Sequence, residues 1–457
     1  MTNDRLLIRG GNMLDSNGTL QHQCSVLVSG GFIEQVGEQA EKAATLPDVA
    51  VMDARGKTVM PGLIDAHCHI SYGNANSDQD MMANTTPEFG ALRAAWSCGL
   101  VLSAGITSLS EPNSLHNIGA ALRDAVKSGM VLGPRLISAG AGLTQPYGTG
   151  WGNWMHGYTG MTVVETLEDA VKAVRKQVNE GVDFIKVFGS AEPVTGNASL
   201  MAGELVTFSL RELQGIVDEA HRLGRKVAVH ARAGQAVADA ARAGVDWIFH
   251  ASFATEAHLE LVAKSRAVIF PTLTLLANMG EWGEAVGVSS HLMGLCQTEL
   301  KSAASILSRA REMGIPLAIG SEAGFSVTPY GEWHAREMEL FVEHLGYTPS
   351  EALMGMTRDN AHILGFKQVG TLEPGMIADI LIVDGDPVAD ITILQDRSRI
   401  SSVIKEGVPL DLASLRRDRL AMPYEKFHPY ALQPLTADKV RRSSKGAAKP
   451  RREDVTA

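Results

Sequence analysis

Cysteine is scarce in this 457-residue chain, and what is missing narrows the field before any motif is read. The four cysteines, Cys24, Cys68, Cys98 and Cys296, are scattered, without the paired spacing of a zinc site. They read as reduced, buried thiols. Cys68 stands between two histidines, yet in an extended segment its side chain points to the opposite face from theirs. Long apolar runs are absent as well: none approaches the roughly 20 residues that span a bilayer. The opening MTNDRLLIRGG lacks the charged-then-apolar pattern of a signal peptide. Positive charge is in the minority, 41 Lys and Arg against 51 Asp and Glu, for a net charge of −10. That balance leaves no electrostatic footprint for nucleic acid or an anionic membrane. The expectation is a cytoplasmic protein with a small-molecule partner.

What is present is a large core. With 45% hydrophobic and 20% charged residues the chain has the profile of a globular protein. Its length suits one domain of about 300 residues and a smaller one. Residues 1–60 read as short strands broken by glycine turns: LLIRGG, SVLVSGG, FIEQVG and VMDARGK. A second set, TLEPGMIADILIVDGDP and SSVIKEGVPL, follows residue 368. Neither set buries a core alone, so the two ends are expected to build one small β-sandwich over 1–60 and 369–430.

Between them, over 61–368, strands alternate with helical stretches. The strand candidates are LIDAHCHI (63–70), GITSLS (105–110), PRLISAG (134–140), DFIKVFG (183–189), KVAVHA (226–231), DWIFHA (246–251), AVIFPTL (267–273) and PLAIGSE (316–322). Eight strands with intervening helices such as LEDAVKAVRKQVNEG and LRELQGIVDEAHRLG predict an α/β fold, a (β/α)8 TIM barrel. From residue 431 the chain is basic and polar, with Lys439, Arg441, Arg442, Lys445, Lys449, Arg451 and Arg452, and is expected to be a disordered tail.

Catalysis in such a barrel sits at the C-terminal ends of the strands. His67 and His69 end the first candidate strand, their i, i+2 spacing turning both to one face. Lys186 ends the fourth, His230 the fifth, His250 the sixth and Glu322 the eighth. A lone histidine at a strand end is usually a satisfied core residue. Five nitrogen-bearing groups and a carboxylate on one rim predict a metal site instead. One or two divalent ions fit, zinc foremost, with cobalt, manganese or iron equally compatible. Lys186 is the informative member. A buried amine among cations is disfavoured as an ammonium, and a neutral amine can add carbon dioxide to give an anionic, bidentate carbamate.

These segments resemble a family. PGLIDAHCHI, GVDFIKVF, VAVHA, DWIFHA, AIGSEAG and the closing GTLEPGMIADILIVDGDP are similar to the amidohydrolase superfamily over nearly the whole chain. VDEAHRLGRKVAVHA resembles the branch holding Xaa-Pro and Xaa-basic dipeptidases, imidazolonepropionase-like enzymes, ochratoxinase, and the molinate and phenylurea hydrolases. The resemblance implies that His67 and His69 bind the more buried ion with Glu322, that carboxylated Lys186 bridges, and that His230 and His250 hold a second ion. It also implies a metal-activated water, with Glu322 moving its proton to the departing nitrogen and His250 or the metal polarising the carbonyl. Relatives of this kind are often homo-oligomers.

Three departures qualify the carry-over. The eighth-strand residue is normally aspartate, and the extra methylene of Glu322 moves the carboxylate by more than about 1 Å. The loop after the third strand reads AGLTQPYGTGWGNWMHGYTG where the dipeptidases carry a Gly-His-Gly-Asp-like motif. Its Trp151, Trp154 and His156 are candidates for an apolar substrate wall, although such a loop also packs on a barrel top without touching substrate. Tyr330, where a histidine is common, is a fourth candidate contact, with a structural tyrosine an equal reading. The function expected is hydrolysis of a small, mainly neutral amide, urea or carbamate, with phenylureas the best specific match. The alternative is a dipeptidase of the same branch, with Arg232 binding a free carboxylate. A deaminase is disfavoured, because Ala231, Arg232 and Ala233 follow His230 without the glutamate such enzymes carry. A catalytically dead scaffold is disfavoured too, since every nitrogen ligand is kept.

Overall fold

The computed structural model describes residues 5–76, 86–146, 160–190, 205–416 and 433–444. The strands at the two chain ends form one eight-stranded sheet, with hydrogen bonding continuous where two sandwich layers were expected. Thr58–Pro61 links the ends: one edge runs parallel to Arg5–Leu14, the other antiparallel to Ile380–Val383, with Val59 opposite Ile382. Period-2 alternation divides its side chains. Val59, Ile380 and Ile382 join Ile8, Val26 and Val28 in one cluster. Met60, Leu381 and Val383 face the other way, into the largest core.

That core belongs to parallel strands. Leu63–Asp65, Ile106–Glu111 and Arg135–Ser138 form a three-stranded sheet. Phe184–Phe188, Lys226–Ala233, Trp247–Phe253 and Val268–Phe270 are neighbours in a six-stranded one. Single parallel bridges connect these sheets: Ala139 to Phe184, Ile269 to Leu317 and Cys68 to Ala323. Phe184, Ala228, Phe249 and Ala318 cluster on one face of the strands. Ile185, Val187, Val229, Ile248 and Ile319 pack on the other, with helix residues such as Leu213 and Ile216.

The two helices read from the sequence form as Leu167–Asn179 and Leu210–Arg222. The second starts at a capping box, the Ser209 hydroxyl accepting from the Glu212 amide and the Glu212 carboxylate from the Ser209 amide. It buries Leu213, Ile216, Val217 and Ala220, the i, i+3, i+4, i+7 stripe of an amphipathic helix. All four cysteines are buried and unpaired by disulfides. No helix among the described residues is long and apolar enough to cross a membrane.

Three expectations are corrected. The first strand is only Leu63–Asp65, so His67 and His69 stand on the segment beyond its end. Lys186 lies in the middle of Phe184–Phe188, not at its end. The eighth candidate makes single bridges rather than a continuous strand, since Glu322 adopts a left-handed backbone with φ 56°.

The basic tail is also more structured than its composition suggests. Ala437–Ser444 is helical, and Leu435 is fully buried beside Leu276, Val286 and Trp333. Trp333 Nε1 donates to the Leu435 carbonyl at 2.9 Å, and the Leu435 amide to that of Ser326 at 2.7 Å. A single buried leucine among many charges is enough to dock the segment. Leu435→Ala is expected to cost about 2–5 kcal/mol, read as a lower denaturant midpoint at unchanged slope; no measurable change would mean the segment is undocked.

Candidate active site

The residues singled out on the strand ends meet in two pairs around a buried lysine. Nε2 of His67 lies 2.9 Å from Oε2 of Glu322, and Nε2 of His69 lies 3.2 Å from Oε1. The longer acid therefore reaches both histidines, one with each oxygen. Its backbone makes room for this. A Cβ on Gly320 would stand 2.5 Å from that of His67, and one on Gly324 2.6 Å from the His69 carbonyl oxygen. Only glycine at both flanks lets the two segments approach so closely.

In the second pair, Nδ1 of His230 and Nε2 of His250 are 2.9 Å apart. His230 follows Ala228 by two residues and so shares its face of the strand. His250 follows Phe249, and plain alternation would send its ring outward with Ile248. Left-handed backbone at His250, φ 73°, and Ala251, φ 56°, turns it back. Such positions cost about 1–3 kcal/mol each and cluster at functional sites. The rings of His67 and His250 are 5.9 Å apart, centre to centre. Lys186 is 2% exposed, with Nζ 4.1 Å from the centre of the Phe249 ring. That same ring meets His67 edge-on at 4.4 Å.

Burial sets the charge states. Desolvation pushes His67 down to about 4, with Glu322 only partly offsetting it. His69, His230 and His250 are also lowered, loss of water again the main cause. Burial alone would raise Glu322, but His67 and His69 outweigh it and hold the carboxyl well below its usual range. Neutral imidazoles around an ionised carboxylate are what a cation requires. Several of their atoms are also unspent: Nδ1 of His67 and Nδ1 of His69 are buried without a hydrogen-bond partner, while Nε2 of His67 and Oε2 of Glu322 face each other at 2.9 Å. Such groups are costly unless something else binds them. His67, His69 and Glu322 also converge closely enough for one ion, so the residues present fit a divalent metal.

Several residues that build the site carried no signal in the sequence reading. Asp65 accepts from the His67 and Ser321 amides, the Ser321 hydroxyl and Nδ1 of His334, tying the two ligand segments together. Its place two residues before His67 was the available clue; His334 had none. Tyr72 stacks on His69 at 4.0 Å, and its hydroxyl accepts from Asn113 at 2.6 Å. Nδ1 of His250 faces the Thr272 hydroxyl at 2.6 Å.

Other expectations fare differently. Tyr330 is 1% exposed, and its hydroxyl donates to the His69 carbonyl and accepts from the Gly73 amide. It braces the segment that carries His69. Arg232 is buried in an ion pair with Glu299, so its charge is already met within the chain. Trp151, Trp154 and His156 lie outside the described residues.

Residues 58–410 match the profile described as the amidohydrolase family. Ochratoxinase of Aspergillus niger is 27% identical over 427 residues, spanning 88% of this chain and 85% of its own. A prolidase solved with N-methylphosphonate-L-proline superposes with a TM-score of 0.76 at 28% identity, covering 89% of this chain and 99% of that one. Phenylurea hydrolase B shares the fold at a TM-score of 0.73 and 19% identity, over 92% of this chain and 100% of its own. With a match across more than half of its length, and the histidine and carboxylate cluster in place, the chain belongs to the amidohydrolase family, whose members are enzymes acting on C–N bonds.

Proposed function

We propose that the chain hydrolyses the C–N bond of a small, mainly neutral amide, urea or carbamate, with phenylurea-type substrates the nearest specific class. The convergence of buried ligand atoms on His67, His69 and Glu322 carries this reading. The scaffold proposed is a closed (β/α)8 barrel, supported by the three parallel bridges that lead from sheet to sheet and back to the first strand.

His67, His69 and Glu322 would hold one divalent ion, zinc the first choice, and His230 with His250 a second. When bound, such an ion supplies Lewis acidity and makes water a nucleophile near neutral pH. Buried Lys186 lies within electrostatic reach of His67, His69 and His230 and would bridge the two ions. Its neutral amine would add carbon dioxide, forming an N–C bond and releasing one proton, and the resulting carbamate offers an oxygen to each side. Glu322, kept ionised by its two histidines, takes the proton of the attacking water and returns it to the departing nitrogen. Hydrolysis of a urea then yields an amine and a carbamic acid that decomposes to carbon dioxide and the second amine.

The pairing of Arg232 with Glu299 favours a neutral substrate, because no uncompensated guanidinium is left there for a carboxylate. The 28% identity to a prolidase favours the second reading, a dipeptidase. The assay that separates them follows amine release by chromatography from metal-reconstituted enzyme. An N-aryl-N′,N′-dialkylurea, an uncharged N-acyl arylamine and an acyl-proline are run side by side. Arylamine release from the urea or the neutral amide, with little turnover of acyl-proline, is expected. Turnover confined to acyl-proline would transfer the assignment to the dipeptidase.

A further inference from the structure

The structure assigns Thr272 as a positioning residue that fixes the tautomer of His250, placing its proton on Nδ1 and leaving Nε2 bare toward His230. This rests on the metal-site reading above and deepens it. Thr272 precedes the helix Leu273–Trp282 as its N-cap, where threonine ordinarily spends its hydroxyl on the helix's own amides. Here it makes no such bond. Buried Glu337 caps the helix instead, accepting from the Leu273 and Thr274 amides at 2.8 Å each and from the Thr274 hydroxyl at 2.6 Å. With that task taken over, and with its backbone at φ 53°, Thr272 is free to turn Oγ1 toward His250.

Proton counting then decides the direction. The Thr272 hydroxyl has one hydrogen, and it goes to the Pro271 carbonyl at 2.8 Å. At 2.6 Å from Nδ1 of His250, Oγ1 must therefore accept. His250 carries its proton on Nδ1, so its Nε2 has a lone pair and nothing to donate. The nitrogen 2.9 Å away, Nδ1 of His230, is then the donor when the two imidazoles face each other directly. A bare Nε2 suits a metal ligand and cannot hydrogen-bond a substrate carbonyl. Of the two roles the resemblance offered His250, ligand stands and polariser falls. Partners of this kind, one bond removed from the ligand atom, commonly set ring orientation and basicity.

The test uses 15N-histidine-labelled protein stripped of metal by chelation, followed by cobalt titration read in the visible spectrum. Thr272→Val keeps the shape and β-branching, hence the same backbone strain, but has no acceptor; Thr272→Ser restores one. In the unmutated protein the His250 Nδ1 is expected at the chemical shift of a protonated ring nitrogen. Thr272→Val is expected to mix the tautomers and weaken cobalt binding at least about tenfold, with Thr272→Ser within about threefold of the parent. A proton found on Nε2 of the parent protein overturns the inference, even if the valine variant does not fold. So does parental cobalt affinity in a folded Thr272→Val. Failure of the parent protein to bind cobalt at all would sink the metal reading instead, while the tautomer measurement still judges Thr272.

Discussion

Alanine in place of His67 is expected to remove bound metal and turnover together. The imidazole is fully buried, its Nδ1 lacks a hydrogen-bond partner, and its Nε2 faces Glu322 at 2.9 Å. Nothing nearby can take its place, since His69 already faces the other carboxylate oxygen. A catalytic metal is worth several kcal/mol of transition-state stabilisation, and each 1.36 kcal/mol is tenfold, so turnover falls by about 10³-fold or more. Lys186→Ala is expected to behave alike, because the two histidine pairs then lose the group that would bridge their ions. Elemental analysis of the purified variants against kcat checks this. Normal turnover by either variant, with or without metal, would remove the site from consideration.

The second large effect separates ligand from proton carrier. Glu322→Gln keeps the length and one oxygen but cannot accept a proton. General acid–base groups contribute roughly 10²–10⁴-fold, so kcat at saturating metal falls within that range, and added metal does not restore it. Glu322→Asp keeps the acid and loses the methylene. With its backbone held at φ 56° and tied through Asp65 and the Ser321 amide, the aspartate stops short of one of the two histidines. Its deficit is expected in metal affinity, and excess metal should recover much of the rate. Equal, metal-insensitive losses in both variants would mean that Glu322 acts through structure alone.

The candidate site was readable in the sequence. His67, His69, Lys186, His230, His250 and Glu322 were legible because each closes or occupies a short apolar run with a clear strand period, and metal ligands must be drawn from few residue types. The amphipathic helices were legible for the same periodic reason. For the described part of the tail, 433–444, composition misleads: charge dominates it, while its docking depends on the single apolar Leu435 and on amides that any residue carries. Tyr330 stayed open between two readings, because a tyrosine after the last strand reads the same whether it meets a substrate or braces backbone; here its hydroxyl bonds two backbone groups.

The sequence by itself determined which groups can bind a cation and, through alternation, which strands present them. It could not determine where those groups point once regular backbone ends. His67 and His69 lie past a three-residue strand, and His250 reaches the site only because its φ is positive. Those conformations are held by partners distant in the chain: Asp65 with His334 and Tyr330 with Gly73, 269 and 257 residues apart, and Glu337 with the turn that carries Thr272, 64 residues away. Local pattern follows from periodicity, which nearest neighbours impose. A strained turn survives only where tertiary contacts outweigh its cost, and those contacts exist only in the folded chain.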